Sequence, residues 1–329
     1  MPRRRALLAA AASLPALSAL PRPALAQAAS GYPTRPVRVL VGFPPGGGVD
    51  IIARLLMPKL QERLGQPFLV ENRAGANGNI AMDAAVKAAP DGYTLFYGNV
   101  GNLGVTNALY ANLSFDTLRD FAPVAQTMES TLVIAVTDGL PVRSLAELIA
   151  YAKANPGRLN AGSAGAGGPS HLALELFKRQ TGTEIVHVPY RGSAPAVQDL
   201  AGGRVQLLLD GYSLMRGVVE GGKARVLAVA ATERQPILPE VPTTAEAGLP
   251  GFEAGSWHAL VAPAGTPPAV IATLEAAVRW ALTGTDLPQA FAQQGVAARF
   301  RDADATRSFI AAERERWTRV VREAGITAD

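Results

Sequence analysis

The chain has 329 residues, of which 48% are hydrophobic and 18% are charged, and it contains no cysteine. This composition excludes a disulfide-rich scaffold, an acidic disordered chain, a zinc ribbon, an iron–sulfur protein and a cysteine nucleophile. At roughly 100 to 200 residues per domain, the length predicts two domains, each large enough to bury a core of its own.

The first 26 residues have the organisation of an export signal. Basic residues at Arg3–Arg5 precede the apolar run Ala6–Leu20, and the small residues Ala24 and Ala26 follow. This pattern predicts a signal peptide at residues 1–26, cleaved after Ala26, and a periplasmic mature protein. The ordinary secretory route and the twin-arginine route both fit, and no cysteine is present to carry a lipid anchor.

The basic character of the chain belongs to that signal. The formal net charge of +4 comes from 31 basic and 27 acidic residues, and four of the basic ones, Arg3–Arg5 and Arg22, precede the cleavage site. The mature chain then has 27 residues of each sign, so we expect no nucleic-acid partner. No later stretch reaches the ~18 apolar residues of a transmembrane helix.

Strands and helices alternate along the mature chain. Hydrophobic patterning predicts strands at 37–41, 68–72, 93–97, 121–127, 132–136, 158–161, 184–188, 205–209, 224–230 and 257–262. It predicts helices at 51–64, 80–88, 144–155, 171–180, 194–201, 267–282 and 305–324. Successive strand, loop and helix units are typical of an α/β fold with a parallel sheet.

Two local signals refine the helices. Pro58 falls inside the first predicted helix, where it removes a backbone donor, so we expect a kink or two short helices there. Ser144 precedes the helix at 144–155 and Glu147 follows three residues later, which is the pattern of a capping box.

Two glycine-rich loops, Gly42–Gly48 and Gly162–Ser170, each lie between a predicted strand and a predicted helix. Such a loop exposes unpaired N–H groups at the positive end of the helix dipole, and glycine allows a ligand to approach closely. Either loop alone fits a simple tight turn equally well. Together they favour a site that holds a carboxylate between two sets of backbone N–H groups.

Other kinds of site fit the sequence poorly. The first loop lacks the Gly-x-Gly-x-x-Gly spacing, and neither loop has the Gly-Lys-Ser/Thr of a P-loop. Ser163 lies in an Ala-Gly-Ser-Ala-Gly stretch that is one glycine short of the hydrolase nucleophile motif. His171, His187 and His258 lack metal-ligand spacing, so we expect no metal, no cofactor and no catalytic residue; His171 fits a local cap or a ligand contact.

Five motifs in order then resemble one family. They are Phe43–Asp50 (FPPGGGVD), Val70–Gly78 (VENRAGANG), Ala89–Leu95 (APDGYTL), Val188–Gly192 (VPYRG) and Val241–Gly248 (VPTTAEAG). Together they resemble the Bug family, the periplasmic substrate-binding proteins of tripartite tricarboxylate transporters. The resemblance covers essentially the whole mature chain.

The resemblance implies an α/β fold of the type II-like periplasmic-binding-protein kind, a two-domain clamshell. Each domain would be a mixed, mostly parallel sheet flanked by helices, with the ligand in the cleft. Domain 1 would comprise 27–130 and 254–329, and domain 2 would comprise 131–253. The two interdomain crossings are expected near 125–130 and 255–261.

The resemblance also implies that backbone N–H groups and ordered water hold the ligand carboxylate. The residues expected at the ligand are Phe43, Gly46, Gly47, Asp50, Asn77, Gly78, Asn102, Gly165, Gly168, Ser170, His171, Tyr190 and Asp210. Two positions depart from the family pattern: Gly168 stands where a Ser or Thr is common, and Arg191 stands where Lys is common. The first departure removes a hydroxyl that would help to choose the ligand.

The function that the resemblance implies is a monomeric, non-enzymatic receptor. It would capture a small organic carboxylate and deliver it to the membrane permease subunits of a tripartite tricarboxylate-type transporter. One alternative is a ligand-sensing co-receptor for a membrane signalling protein. The other is a secreted α/β hydrolase that uses Ser163 as its nucleophile.

Overall fold

The computed structural model describes residues 31–110 and 112–326. The predicted signal peptide and its cleavage site after Ala26 lie outside these residues. Within them the protein is α/β, with ten strands in one mixed sheet and helices on both faces.

The strands are β1 (Val37–Val41), β2 (Phe68–Asn72), β3 (Thr94–Asn99), β4 (Phe121–Thr137), β5 (Asn160–Ser163), β6 (Val186–Pro189), β7 (Leu207–Gly211), β8 (Ala224–Val229), β9 (Gly255–Pro263) and β10 (Ala297–Arg301). The helices are α1 (Gly48–Leu64), α2 (Asn79–Val86), α3 (Thr106–Leu109), α4 (Leu145–Ala154), α5 (Pro169–Thr181), α6 (Ser193–Ala201), α7 (Tyr212–Glu220), α8 (Pro268–Thr283), α9 (Leu287–Gln293) and α10 (Ala303–Ala324). A 3₁₀ turn spans Ala76–Gly78, and a π-helical turn spans Gly101–Val105.

The sheet joins two parallel groups through antiparallel strands. Its order is β2-β1-β3-β9-β4-β7-β5-β6, and β8 and β10 also pair with β4. β1 runs parallel to β2 and β3, and β5 runs parallel to β6 and β7. β9 is antiparallel to β3 and β4, and β4 is antiparallel to β7. The parallel pairing predicted from the strand–loop–helix units is therefore confirmed.

β4 is one 17-residue strand, although the sequence predicted two shorter strands there. Its residues 121–131 pair with β9, and residues 132–137 pair with β7 and β8. The returning chain lies beside it at this change of partner, because the Leu132 N–H donates to the Ala254 carbonyl. We name residues 31–131 with 255–326 the first lobe and residues 132–254 the second lobe; the domain boundaries predicted from the sequence remain a prediction.

Helices cover both faces because successive residues of a strand point to opposite sides. In the first lobe, Val39 and Val41 pack in the cluster that contains α1 and α8, and Leu40 packs with α2 and α10. In the second lobe, Ile134 packs with α4 and α5, and Val133 packs with α6 and α7. The sheet is thus the middle layer of three, and its strand ends carry the loops.

Helix α1 continues through Pro58 to Leu64, so the expectation of two short helices is wrong. A proline inside a helix costs about 3 kcal/mol, because the ring removes one donor and crowds the preceding turn. Leu56, Met57 and Leu60 are fully buried on this helix. Burial of such side chains stabilises by about 1.5–3 kcal/mol each, which is enough to keep the helix continuous.

Three helices and one strand were not predicted from the sequence: α3, α7, α9 and β10. Helix α7 begins directly after β7 with no separating loop, and it contains Gly217 beside two β-branched valines. These residues lower helix propensity, although Tyr212 and Met215 are buried with helical spacing and could have signalled the helix.

Candidate ligand-binding site

A cavity of about 140 Å³ lies between the two lobes. The first lobe contributes Phe43 and Gly47 to its wall, and the second lobe contributes Ser170, Ser193 and Asp210. The cavity lies where strands of both lobes deliver the chain to helices. Ligands of open α/β sheets bind at this edge, outside the carboxyl ends of the strands.

Four helices begin at this cavity: α1, α5, α6 and α7. Each one places unpaired N–H groups and the positive end of its dipole at its first turn. In the part of the chain that the structure describes, the N–H groups of Gly48, Val49 and Ser170 donate no hydrogen bond. The cavity wall is therefore suited to an anion.

The first glycine loop turns at Gly46 and enters α1 at Gly47. Gly46 has a φ of +78°, and its N–H donates to Asp50 Oδ2 over 2.9 Å. Gly47 is the N-cap with a φ of −76°, and a Cβ there would lie 3.3 Å from the Pro44 carbonyl oxygen. Gly47 lines the cavity, whereas Gly46 does not.

Asp50 is buried behind the loop and does not line the cavity. Arg54 Nε lies 3.0 Å from both of its oxygens, and Asn72 Nδ2 donates to Oδ1 over 2.8 Å. Burial opposes ionisation of Asp50, but the hydrogen bonds from Arg54, Gly46 and Asn72 outweigh it and lower the pKa of this carboxyl. Asp50 thus accepts the Gly46 N–H and fixes the loop. It does not bond to the N–H groups of Gly48 and Val49.

Asn77, Gly78 and Asn102 pack against one another behind the cavity and do not line it. Asn102 Nδ2 donates to the Asn77 carbonyl, and Asn77 Nδ2 donates to the Gly101 carbonyl over 3.2 Å. Gly78 has a φ of +88° and lies against Gly42. A Cβ added to Gly42 would lie only 2.5 Å from the Gly78 Cα, so the two backbones need glycine to come this close. These residues shape the loops of the first lobe.

The second glycine loop brings Ser170 to the cavity, while Gly165, Gly168 and His171 lie outside its wall. Ser170 Oγ accepts the Ala164 N–H over 2.9 Å. Its hydroxyl hydrogen remains available for a ligand.

His171 acts as a local cap. Its Nδ1 accepts the Gly167 N–H over 2.9 Å, and its ring stacks on His187 with the ring centres 3.7 Å apart. His187 Nε2 lies 2.6 Å from the Oγ of Ser163, a fully buried side chain. Burial lowers the pKa of both imidazoles to about 4, so both are neutral at neutral pH.

Tyr190 does not line the cavity, and its hydroxyl donates to Asp199 Oδ2 over 2.7 Å. Asp210 does line it and is 8% exposed. Its oxygens accept the Ser193 hydroxyl over 2.7 Å and the Gly211 N–H over 2.8 Å. Burial raises the pKa of Asp210. Asp210 thus places an acidic group beside the first turns of α6 and α7 without capping either helix. An anionic ligand group is therefore favoured at α1 and α5 over α6 and α7.

Side chains of β3, β4 and β9 form a further part of the wall, which we call the floor: Asn99, Met128, Ser130, Ser256 and His258. His258 pairs with Asn99 on one side and Met128 on the other, and Ser256 pairs with Ser130. Residues directly opposite on paired strands share a face of the sheet, so these five side chains lie together.

The sequence reasoning did not place the floor at the ligand. Asn99 lies beyond the end of the strand predicted at 93–97, and the sequence pattern gives His258 no ligand role because it lacks metal-ligand spacing. A signal for the floor was present in the sequence. Strand β9 is otherwise apolar, and its polar residues Ser256 and His258 occupy alternate positions, which places both on one face of the sheet. Burial lowers the pKa of His258 to about 3, so its ring is neutral.

The two lobes are in contact at the rim of the cavity. A Cβ on Gly48 would lie 3.8 Å from Leu214 Cδ1, and a Cβ on Gly192 would lie 3.8 Å from Pro44 Cδ. Arg179 of the second lobe also pairs with Glu323 of the first. The lobes therefore touch at the rim of the cavity.

Two further findings concern the described residues alone. Within residues 31–110 and 112–326, no group of three or more acidic or histidine side chains is placed to hold a metal ion. Over the same ranges, no helix combines the length and the apolar character needed to cross a bilayer.

Comparison with known proteins agrees with this geometry. Residues 52–326 match the model of the tripartite tricarboxylate transporter family receptor, TctC. Protein BugT of Bordetella pertussis is 41% identical over 298 residues, which cover 90% of this chain and 91% of BugT.

Two solved structures share the whole fold. Rpa4515 of R. palustris, solved with adipate, is 38% identical with a TM-score of 0.86, covering 90% of this chain and 99% of that one. MatC from Rhodopseudomonas palustris, solved with bound malate, is 35% identical with a TM-score of 0.83. The match covers 88% of this chain and 100% of MatC. The periplasmic-binding-protein fold expected from the sequence is confirmed. The chain belongs to the TctC family of tripartite tricarboxylate transporter receptors, to which the Bug proteins also belong.

Proposed function

We propose that the protein is a periplasmic receptor that captures a small organic carboxylate and delivers it to the permease subunits of a tripartite tricarboxylate-type transporter. One observation carries the proposal: the first turns of α1 and α5, from opposite lobes, line one cavity, and the N–H groups of Gly48, Val49 and Ser170 there donate no hydrogen bond within the described residues. That adipate and malate are bound in two related structures supports a carboxylate ligand.

The carboxylate bridges the first turns of α1 and α5. A ligand that contacts both lobes stabilises the closed arrangement by its differential affinity for it. The permease then recognises the closed form, and the receptor acts as a monomer. No bond of the ligand is made or broken, so no cofactor and no catalytic residue takes part.

The predicted site residues divide into two roles. Phe43, Gly47, Ser170 and Asp210 line the cavity and contact the ligand. The others position the loops around it: Gly46, Asp50, Asn77, Gly78, Asn102, Gly165, Gly168, His171 and Tyr190.

A hydrolase is the second candidate, because Ser163 and His187 form a hydrogen bond of 2.6 Å. Ser163 is fully buried and does not line the cavity, and His187 stacks on His171 instead of meeting a carboxylate. A catalytic triad needs an exposed nucleophile and a third group that orients the base. We therefore expect no turnover of ester substrates, and turnover abolished by Ser163→Ala would reverse this choice.

The experiment for the proposed function is a thermal-shift screen followed by calorimetric titration. Straight-chain carboxylic acids of four to eight carbons are the probes, and the corresponding primary alcohols are the controls. At least one acid should raise the unfolding temperature, and no alcohol should.

An intact-mass measurement on a periplasmic extract tests the localisation and should give a chain that begins at Gln27. A cytoplasmic species that keeps the signal peptide would contradict the periplasmic localisation.

A further inference from the structure

The floor of the cavity holds two polar side chains that have no hydrogen-bond partner in the described part of the chain. Ser256 is 9% exposed and His258 is 4% exposed, and neither Ser256 Oγ nor His258 Nδ1 has a partner. A buried polar atom without a partner costs free energy, and folded proteins rarely leave one unpaired. Both residues line the cavity, so a group inside it can supply the missing partners.

The charges around the floor restrict what that group can be. Among the described lining residues, Arg191 has the only positively charged side chain, and this residue is exposed. Asp210 has the only acidic side chain among these same described residues, and both of its oxygens already accept hydrogen bonds. A second carboxylate at the floor would have no buried cation among these lining residues to balance it, and Asp210 already adds an acidic group to the same cavity.

The chemistry of the two side chains matches an uncharged partner. A serine hydroxyl and a neutral imidazole each offer both a donor and an acceptor. The pKa of His258 is held near 3 by burial, so its ring does not become a cation that could pair with an anion. Hydroxyl and carboxamide groups also carry both a donor and an acceptor.

We propose that Ser256 and His258 bind an uncharged hydrogen-bonding group of the ligand, so that the ligand is a monocarboxylate with a hydroxyl or carboxamide and not a dicarboxylate. This inference rests on the proposed function, because it assumes that the single carboxylate occupies the N–H groups of α1 and α5. It names the ligand's second group, which the family resemblance leaves open.

Selectivity of this kind is strong when the site supplies buried hydrogen bonds. A pocket built to hydrogen-bond a substrate group rejects the analogue without that group by up to 10⁴–10⁵, whereas an apolar pocket distinguishes one methylene by 10 to 200-fold. We expect at least a tenfold preference for the polar terminus here.

Calorimetric titration of four matched series tests the proposal. Each series spans four to eight carbons with one carboxylate, and the other end is methyl, hydroxyl, carboxamide or a second carboxylate. At the best chain length, the hydroxyl or carboxamide acid should bind at least tenfold more tightly than the methyl acid and the dicarboxylate. Equal affinities for the methyl and polar ends would overturn the proposal, because water would then satisfy Ser256 and His258.

Two variants assign the preference to the floor. Ser256→Ala and His258→Phe should each reduce the preference over the methyl acid to below threefold while the methyl acid binds as before. Ser308→Ala, on the exposed surface of α10, is the matched control and should keep the full preference. A preference unchanged in Ser256→Ala, which removes a single oxygen, would contradict the assignment even if His258→Phe failed to fold.

Two outcomes separate this inference from the proposed function. A dicarboxylate that binds most tightly would overturn the inference alone, and loss of that affinity in Arg191→Gln would show that Arg191 holds the second carboxylate. Failure of every acid to bind would contradict the proposed function, and the inference with it.

Discussion

Gly47 is the residue at which the first glycine loop becomes a helix facing the cavity. Gly47 has a φ of −76°, which any residue can adopt, whereas the neighbouring Gly46 is left-handed with a φ of +78°. Glycine is needed at position 47 for space. Its missing side chain leaves the Gly48 N–H open to the cavity and the Pro44 carbonyl uncrowded.

Gly47→Val should therefore weaken carboxylate binding at least tenfold, about 1.4 kcal/mol, while the protein stays folded. The added side chain crowds Pro44, only 3.3 Å from its Cβ, and covers the first N–H groups of α1. Calorimetry measures the change. Gly139→Val is the control, because a Cβ at Gly139 meets nothing within 4 Å. Normal binding by Gly47→Val would show that a side chain holds the anion.

His258 should make the stability of the protein depend on pH. Its pKa is lowered by burial to about 3, while an unfolded histidine titrates near 6.5. Between these values the unfolded chain binds more protons, so the free energy of unfolding is highest above pH 6.5 and falls as the pH drops, by up to about 1.4 kcal/mol per unit for this group. His171 and His187 act in the same direction, and Asp210, whose pKa is raised, acts in the opposite one.

Urea unfolding at pH 7.5, 6 and 5 measures this dependence, and His258→Phe isolates one histidine. The variant should lose less stability between pH 7.5 and 5 than the native chain does. Identical losses in the two proteins would mean that His258 has the same pKa in the folded and unfolded states.

At the scale of elements, local signals predicted most of the fold. β1 and β2 have the predicted bounds, since short apolar runs ended by glycine or proline are visible in the sequence. The floor of the site could not be predicted in this way. It depends on the register that brings Asn99, Met128 and His258 side by side, and that register joins strands far apart in the chain.

The capping box of α4 is confirmed in its first hydrogen bond and altered in its second. Ser144 Oγ accepts the Glu147 N–H over 3.2 Å, while the Glu147 carboxylate accepts the N–H of Arg143 instead of that of Ser144. Ser144→Ala should lower the free energy of unfolding by about 1 kcal/mol, the usual cost of losing an N-cap. Chemical denaturation measures it. Carboxylate affinity should not change, because α4 does not line the cavity.

At the scale of the whole molecule, the function depends on two lobes that meet over one cavity. The chain passes between them on β4 and again before β9, and the rim contacts join loops of the first lobe to α6 and α7 of the second. In the described part of the chain these are the two crossings between the lobes, and each lobe has a core cluster of its own, although Leu172 of the second lobe packs in the cluster that contains Leu40 of the first. A ligand that bridges them then sets the balance between open and closed forms.

Ligand binding should therefore compact the protein. Small-angle scattering with and without the acid that gives the largest thermal shift should show a smaller radius of gyration for the bound form. Superimposable curves at saturation would remove closure from the mechanism and leave a rigid binding protein.

The central claim is that backbone N–H groups at the starts of α1 and α5 hold the carboxylate, and amide NMR tests it most directly. Titration of isotope-labelled protein with the tightest-binding acid should shift the amide protons of Gly48, Val49 and Ser170 downfield, as expected when they become hydrogen-bonded to an anion. The claim is contradicted if binding saturates while these three resonances stay in place and the guanidinium signal of Arg191 moves.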